Sequence, residues 1–205
     1  MRPLAEALSR RGWSPVVPDL RAAASTPAAF CAAAASEAPR VDVVLGHSGA
    51  GFVLPALAAL VGAGRTVFID AVLPDETTHF VPSNVFLAFV DSLPIEDGLL
   101  PPWHRWWPAD TIVGLLPDEG TRSAVTDEIP SVPRAFYDAG MELPERWWTT
   151  SSAYLQLSPA YDDEMEHARR LGWPTIERSG RHLDLVVVAD EVAVDVLNLL
   201  DELRS

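Results

Sequence analysis

The chain has 205 residues, nearly half of them hydrophobic, which suits one domain with a sizeable core and excludes a disordered segment. A formal net charge of −14 argues against nucleic acid and against an anionic membrane surface as partners, since both need a basic face. The basic residues are all Arg, and Cys31 is the only cysteine, so no intrachain disulfide can form and nothing points to an oxidising compartment.

In chain order, the opening MRPLAEALSRRGW carries apolar residues at helical spacing among charges, unlike a signal region. The Ala-rich run from Ala22 to Ala35 is broken by Ser25, Thr26 and Pro27 and is too short to span a membrane. A cytoplasmic protein is expected. Strands are predicted at 15–17, 41–45, 66–69, 153–157 and 174–177, and helices at 2–11, 27–37, 50–61, 159–171 and 191–203. Such alternation implies an α/β fold: a mostly parallel sheet with helices on both faces. It breaks between 75 and 148, which holds five of the seven Trp and many of the prolines. That stretch is expected to be a helical cap inserted into a core formed by 1–74 and 149–205.

The segment 41–51 carries the chemistry. A buried-type strand, VDVVL, runs into Gly46-His47-Ser48-Gly49-Ala50-Gly51, and a small-residue helix follows. A nucleophile elbow needs this order, because a serine on a strained turn tolerates only the smallest neighbours. The helix after it points amides at a developing oxyanion, with Gly49 as one donor. Position 50 is Ala where the usual pattern has Gly. A tightly packed or phosphate-binding turn is the other reading, but the spacing does not fit G-x-G-x-x-G and no G-K-[ST] follows.

The base is expected at His182, in a loop after the last strand and before the last helix, where this chain order places it. The acid has two candidates. Asp70 closes the apolar strand TVFID, where a carboxylate is costly without a partner. Asp162 and Asp163 follow the next strand, but Ser158-Pro159 reads as a helix N-cap with proline at the first helical position, which makes them first-turn residues. Asp70 is preferred, with Asp162 as the alternative.

The elbow, the segment TVFIDAVLPD and the terminal GRHLDLVV together resemble the α/β-hydrolase branch containing plant hydroxynitrile lyases, methylesterases and related small bacterial hydrolases. The resemblance implies a Ser–His–Asp triad, no cofactor and no metal, and a small apolar pocket under a cap. In that branch the acid follows the strand matched by 153–157, whereas this chain has Ser158-Pro159-Ala160 there. A strand ending in His-Gly precedes the helix matched by 2–11 and supplies an oxyanion amide. The sequence beginning at Met1 starts inside that helix, so the expectation is either a shortened N-terminus or a protein without that strand and its amide.

Trp103, Trp106 and Trp107 in the cap, and His47 in the elbow, are candidate substrate-binding residues for an apolar or aromatic small molecule. Cap core and subunit interface are the other fates open to these rings. Three functions stay open: a serine hydrolase of a small or medium carboxylic ester, thioester or lactone; a non-hydrolytic lyase or cyclase of natural-product metabolism; and a catalytically impaired binding protein.

Overall fold

A computed structural model describes residues 1–21 and 25–204. Ala22, Ala23 and Ala24, at the head of the Ala-rich run, lie outside the described residues. Helices α1 (Arg2–Ser9) and α2 (Pro27–Glu37) precede β1 (Val43–Ser48), a 3-10 turn over Gly49–Val53 and α3 (Leu54–Val61). Then come β2 (Arg65–Ala71), β3 (His79–Phe80), α4 (Asn84–Asp91), β4 (Leu99–Leu100), α5 (Ala109–Leu115) and α6 (Glu119–Thr126). The chain continues through β5 (Val132–Pro133), β6 (Met141–Glu142), β7 (Ser151–Gln156), α7 (Asp162–Arg170), β8 (Thr175–Glu177), α8 (Asp184–Val187) and α9 (Ala189–Glu202). Pro27 sits in the first turn of α2, and the Thr26 hydroxyl accepts from the Ala29 amide, so proline and cap together start that helix. Gly172 takes φ +73° just past α7 and stops it.

Strands β1, β2, β7 and β8 form one parallel sheet in the order β1-β2-β7-β8. Successive side chains on a strand point to opposite faces. Val67 and Ile69 of β2 and Ala153 and Leu155 of β7 therefore pack beneath α1, α8 and α9. Phe68 and Tyr154 face the other way, with residues of α2, α3 and α7. Burial on both faces explains why these strands are almost continuously apolar.

The segment 75–148 contributes nothing to that sheet. Alongside α4, α5 and α6 it holds two short antiparallel pairs, β3 with β6 and β4 with β5, where sequence reading expected no strand. Two residues per strand leave no period to read. Its Phe136, Met141, Leu143 and Trp147 are buried in the same cluster as Val44, Phe52 and Phe68, so insertion and sheet share a core.

The strand expected at 15–17 does not form. Val16 and Val17 are 53% and 40% exposed and belong to no sheet. Pro15 and Pro18 flank them, which leaves two amides to pair with a neighbour. Among the described residues β1 pairs only with β2. No described helix is long and apolar enough to cross a membrane.

Candidate active site

Ser48 ends β1 with φ 58° and ψ −133°, outside the regions L residues favour. Two of the neighbouring glycines stand in close contact. A Cβ on Gly51 would stand 2.0 Å from the Val72 carbonyl oxygen, and one on Gly46 would press into the Leu54 side chain. The position that demands glycine is thus 51, and Ala50 fits without conflict. Gly49 follows Ser48 directly, in the first position of the 3-10 turn that leads into α3.

A second left-handed residue faces Ser48. His47 pairs with Ile69 and Ser48 with Ala71, so the register skips Asp70, the extra residue of a bulge with φ 43°. The bulge frees the backbone of Ala71, and the buried Tyr154 hydroxyl takes up both groups, accepting from the Ala71 amide at 3.0 Å and donating to its carbonyl at 2.7 Å. Asp70 is fully buried. Its Oδ1 accepts the amides of Leu157 (2.7 Å) and Ser158 (2.9 Å), and its Oδ2 accepts the Ser158 hydroxyl (2.7 Å). Burial alone would push the carboxyl up, but the bonds from His182, Ser158 and Leu157 outweigh it and hold the carboxyl below its ordinary range.

The Oδ2 atom also lies 2.7 Å from His182 Nδ1, and His182 Nε2 lies 3.0 Å from Ser48 Oγ. An ionised carboxylate only accepts, so the imidazole proton sits on Nδ1 and the Ser48 hydroxyl donates to Nε2. The structure thus brings together three of the residues singled out in the sequence. His182 is 12% exposed at its side chain. Its loop is tied to the insertion, because Arg181 donates to the Gly114 carbonyl at 2.7 Å.

Asp162 stands apart from His182, in the first turn of α7, where its carboxylate accepts from Gln156 Nε2. The first-turn placement of Asp162 and Asp163 is as expected, but Ser158 does not cap the turn. Its hydroxyl donates to the Asp70 carboxylate instead, and its oxygen accepts no backbone amide of the turn.

His47 packs its ring 4.3 Å from that of His182, and its Nε2 donates to the His182 carbonyl at 2.8 Å. Burial, then repulsion from His182, lowers the His47 pKa to about 3, so the ring is neutral. Trp103 lies 6.0 Å from the His182 ring, between centroids. Trp106 and Trp107 belong to an aromatic group with Phe86, Phe89 and Tyr137. Trp107 also lines a cavity of about 460 Å³ bounded by insertion residues, His104, Arg105, Ile112 and Arg122 among them. Of the three candidate rings, Trp103 is the one beside the imidazole. Two residues have site contacts that the sequence does not announce: Ser158, which reads there only as a helix cap, and Tyr161, whose ring stacks on His182 (5.2 Å, 12°) and whose hydroxyl is 3.3 Å from Ser48 Oγ. Both follow β7, where only the fold reveals what they face. Among the described residues no group of three or more His, Cys, Asp or Glu side chains could hold a metal ion.

No family model and no curated protein matches the sequence. Solved structures do. A histidine-to-alanine variant of PytH superposes with a TM-score of 0.66 over 98% of this chain and 91% of its own, at 13% identity. A serine-to-alanine variant of the pyrethroid hydrolase PytH gives 0.57 over 86% and 78%, at 14% identity. The chain has the α/β-hydrolase fold. A variant of tomato methylketone synthase I complexed with β-ketoheptanoate matches the same hydrolase fold at 0.63, over 98% and 92%, with 8% identity.

Proposed function

We propose that this protein is a serine hydrolase of the esterase type, acting on a small or medium carboxylic ester, thioester or lactone. The reading rests on one observation above all: the line of hydrogen bonds from Asp70 through His182 to Ser48, drawn from the ends of β2, β8 and β1. In it Ser48 Oγ attacks the acyl carbon and gives its proton to His182 Nε2. Asp70 fixes the tautomer and offsets the charge of the imidazolium. The Gly49 amide donates to the oxyanion. The insertion acts as a cap whose Trp103, with its ring 6.0 Å from that of His182, favours an apolar or aromatic acyl or alcohol group. The net charge of −14 accords with a small-molecule substrate rather than a nucleic acid or membrane.

A second reading draws on the methylketone synthase likeness: the same three residues doing acid–base work on a lyase or cyclase substrate without a covalent intermediate. A fluorophosphonate probe separates the two. Labelling at Ser48, and loss of aryl-ester turnover in Ser48→Ala with the fold intact, is the hydrolase outcome. Turnover without labelling is the lyase or cyclase outcome. Neither labelling nor turnover would leave a binding protein, and Ser48→Ala at wild-type activity would remove Ser48 from the chemistry.

A further inference from the structure

Tyr161 touches the nucleophile and has no part in the relay described so far. It lies in the turn Leu157–Tyr161, the same turn that sends two amides and a hydroxyl to Asp70. The Ser48 hydroxyl carries one proton, committed to His182 Nε2, so in the 3.3 Å contact the phenol must donate and Ser48 Oγ accept. Burial pushes the phenol up to about 12, which keeps it a donor throughout the neutral range. Its ring lies nearly parallel to the His182 ring at 5.2 Å, so the hydroxyl and Nε2 approach Oγ from one flank of the site.

That flank is where a departing group must be. When Ser48 Oγ has added to an ester, the tetrahedral carbon carries two substrate oxygens, each one atom removed from Oγ. The leaving oxygen has to face His182 Nε2 to receive its proton. A hydroxyl already in contact with Oγ on that side reaches this oxygen by a small shift. We propose that Tyr161 is a further catalytic residue, whose O–H turns from Ser48 Oγ to the leaving-group oxygen as the tetrahedral intermediate collapses. In that step the carbon–oxygen bond breaks and its electron pair goes to the leaving oxygen. The proton on His182 Nε2 follows, and Tyr161 donates a hydrogen bond while keeping its own proton. The substrate class this favours is the ester of a poorly acidic alcohol, whose oxygen carries the most charge on departure.

The inference rests on the hydrolase reading, and its test separates the two. Acetate esters with leaving alcohols of rising basicity, from p-nitrophenol through phenol to ethanol, are assayed with wild type and Tyr161→Phe. The variant keeps the ring on His182 and removes only the hydroxyl. The ratio of wild-type to variant kcat/KM is expected to grow along the series, from near unity to roughly ten- to a hundred-fold, the worth of a hydrogen bond to a charged oxygen. Because the trend is read within one variant preparation, any loss of folded protein cancels. A ratio that stays flat along the series overturns the role of Tyr161 while leaving the hydrolase reading in place. A wild-type protein that turns over none of these esters and takes no fluorophosphonate at Ser48 overturns both.

Discussion

The ends of β2 and β7 lie side by side in the sheet, and each offers a carboxylate, yet the surroundings differ. At β2 a bulge turns Asp70 left-handed and aims it, fully buried, at three donors from the β7 side and at His182. At β7 the chain leaves through Leu157 and Ser158, which serve as donors, and its own acids, Asp162 and Asp163, are exposed on the first turn of α7. A carboxylate becomes useful where donors converge on it and the imidazole can reach it. Position along the chain matters less.

The comparison is broken most directly by exchanging the acids. Asp70→Asn is expected to lower kcat on an aryl ester by about 10⁴-fold, the usual size for a triad carboxylate. Asp162→Asn should stay close to wild type, and a large loss there instead would move the acid to β7. Gly51→Ala follows on the elbow itself: a Cβ 2.0 Å from a backbone oxygen cannot be accommodated, so the variant should lose soluble folded protein, read by circular dichroism. Gly49→Ala, with open space at its Cβ, is the folded control.

Ser158→Ala removes one of the bonds that hold Asp70 ionised. The expected cost is about 1.5–3 kcal/mol in chemical denaturation. Asp70 is lowered in the folded state, so its contribution is present above its ordinary value and is lost as pH falls through the lowered one. Losing the Ser158 bond raises the carboxyl and shifts that loss to higher pH. An acid-unfolding midpoint that does not move would show the hydroxyl to be dispensable.

A second pH dependence comes from His47. Its folded pKa, about 3, lies below the unfolded value of 6.5. Below pH 6.5 the unfolded chain takes up a proton that the folded one refuses, so stability should decline toward pH 3 by at most about 1.4 kcal/mol per pH unit. His47→Gln keeps a donor for the His182 carbonyl and should flatten that slope in urea titrations from pH 7 to pH 4.

How far the site was legible follows from the same physics. The elbow could be read because its steric demands are written as small residues in one short segment. Asp70 could be read because a charge ending an apolar strand needs a partner. Ser158 was misread, since Ser-Pro before a helix has a local explanation that leaves nothing over. Tyr161 had no signal at all, being an aromatic residue beside a helix whose neighbour lies 113 positions away. The run at 15–17 looked like a strand because valines favour one, but strands exist only as pairs.

Ser48 and His182 stand 134 positions apart, and Asp70 and His182 stand 112 apart. The imidazole arrives on the loop after β8, at the far edge of the sheet from β1. During synthesis from the N-terminus the serine and the carboxylate are therefore made long before the imidazole that bridges them. A growing chain carries an unactivated hydroxyl until its last strand and the loop beyond it have left the ribosome. On the hydrolase reading proposed above, reactivity toward bystander esters is thereby deferred to the end of folding, and a product cut short before residue 182 lacks the imidazole that the serine needs.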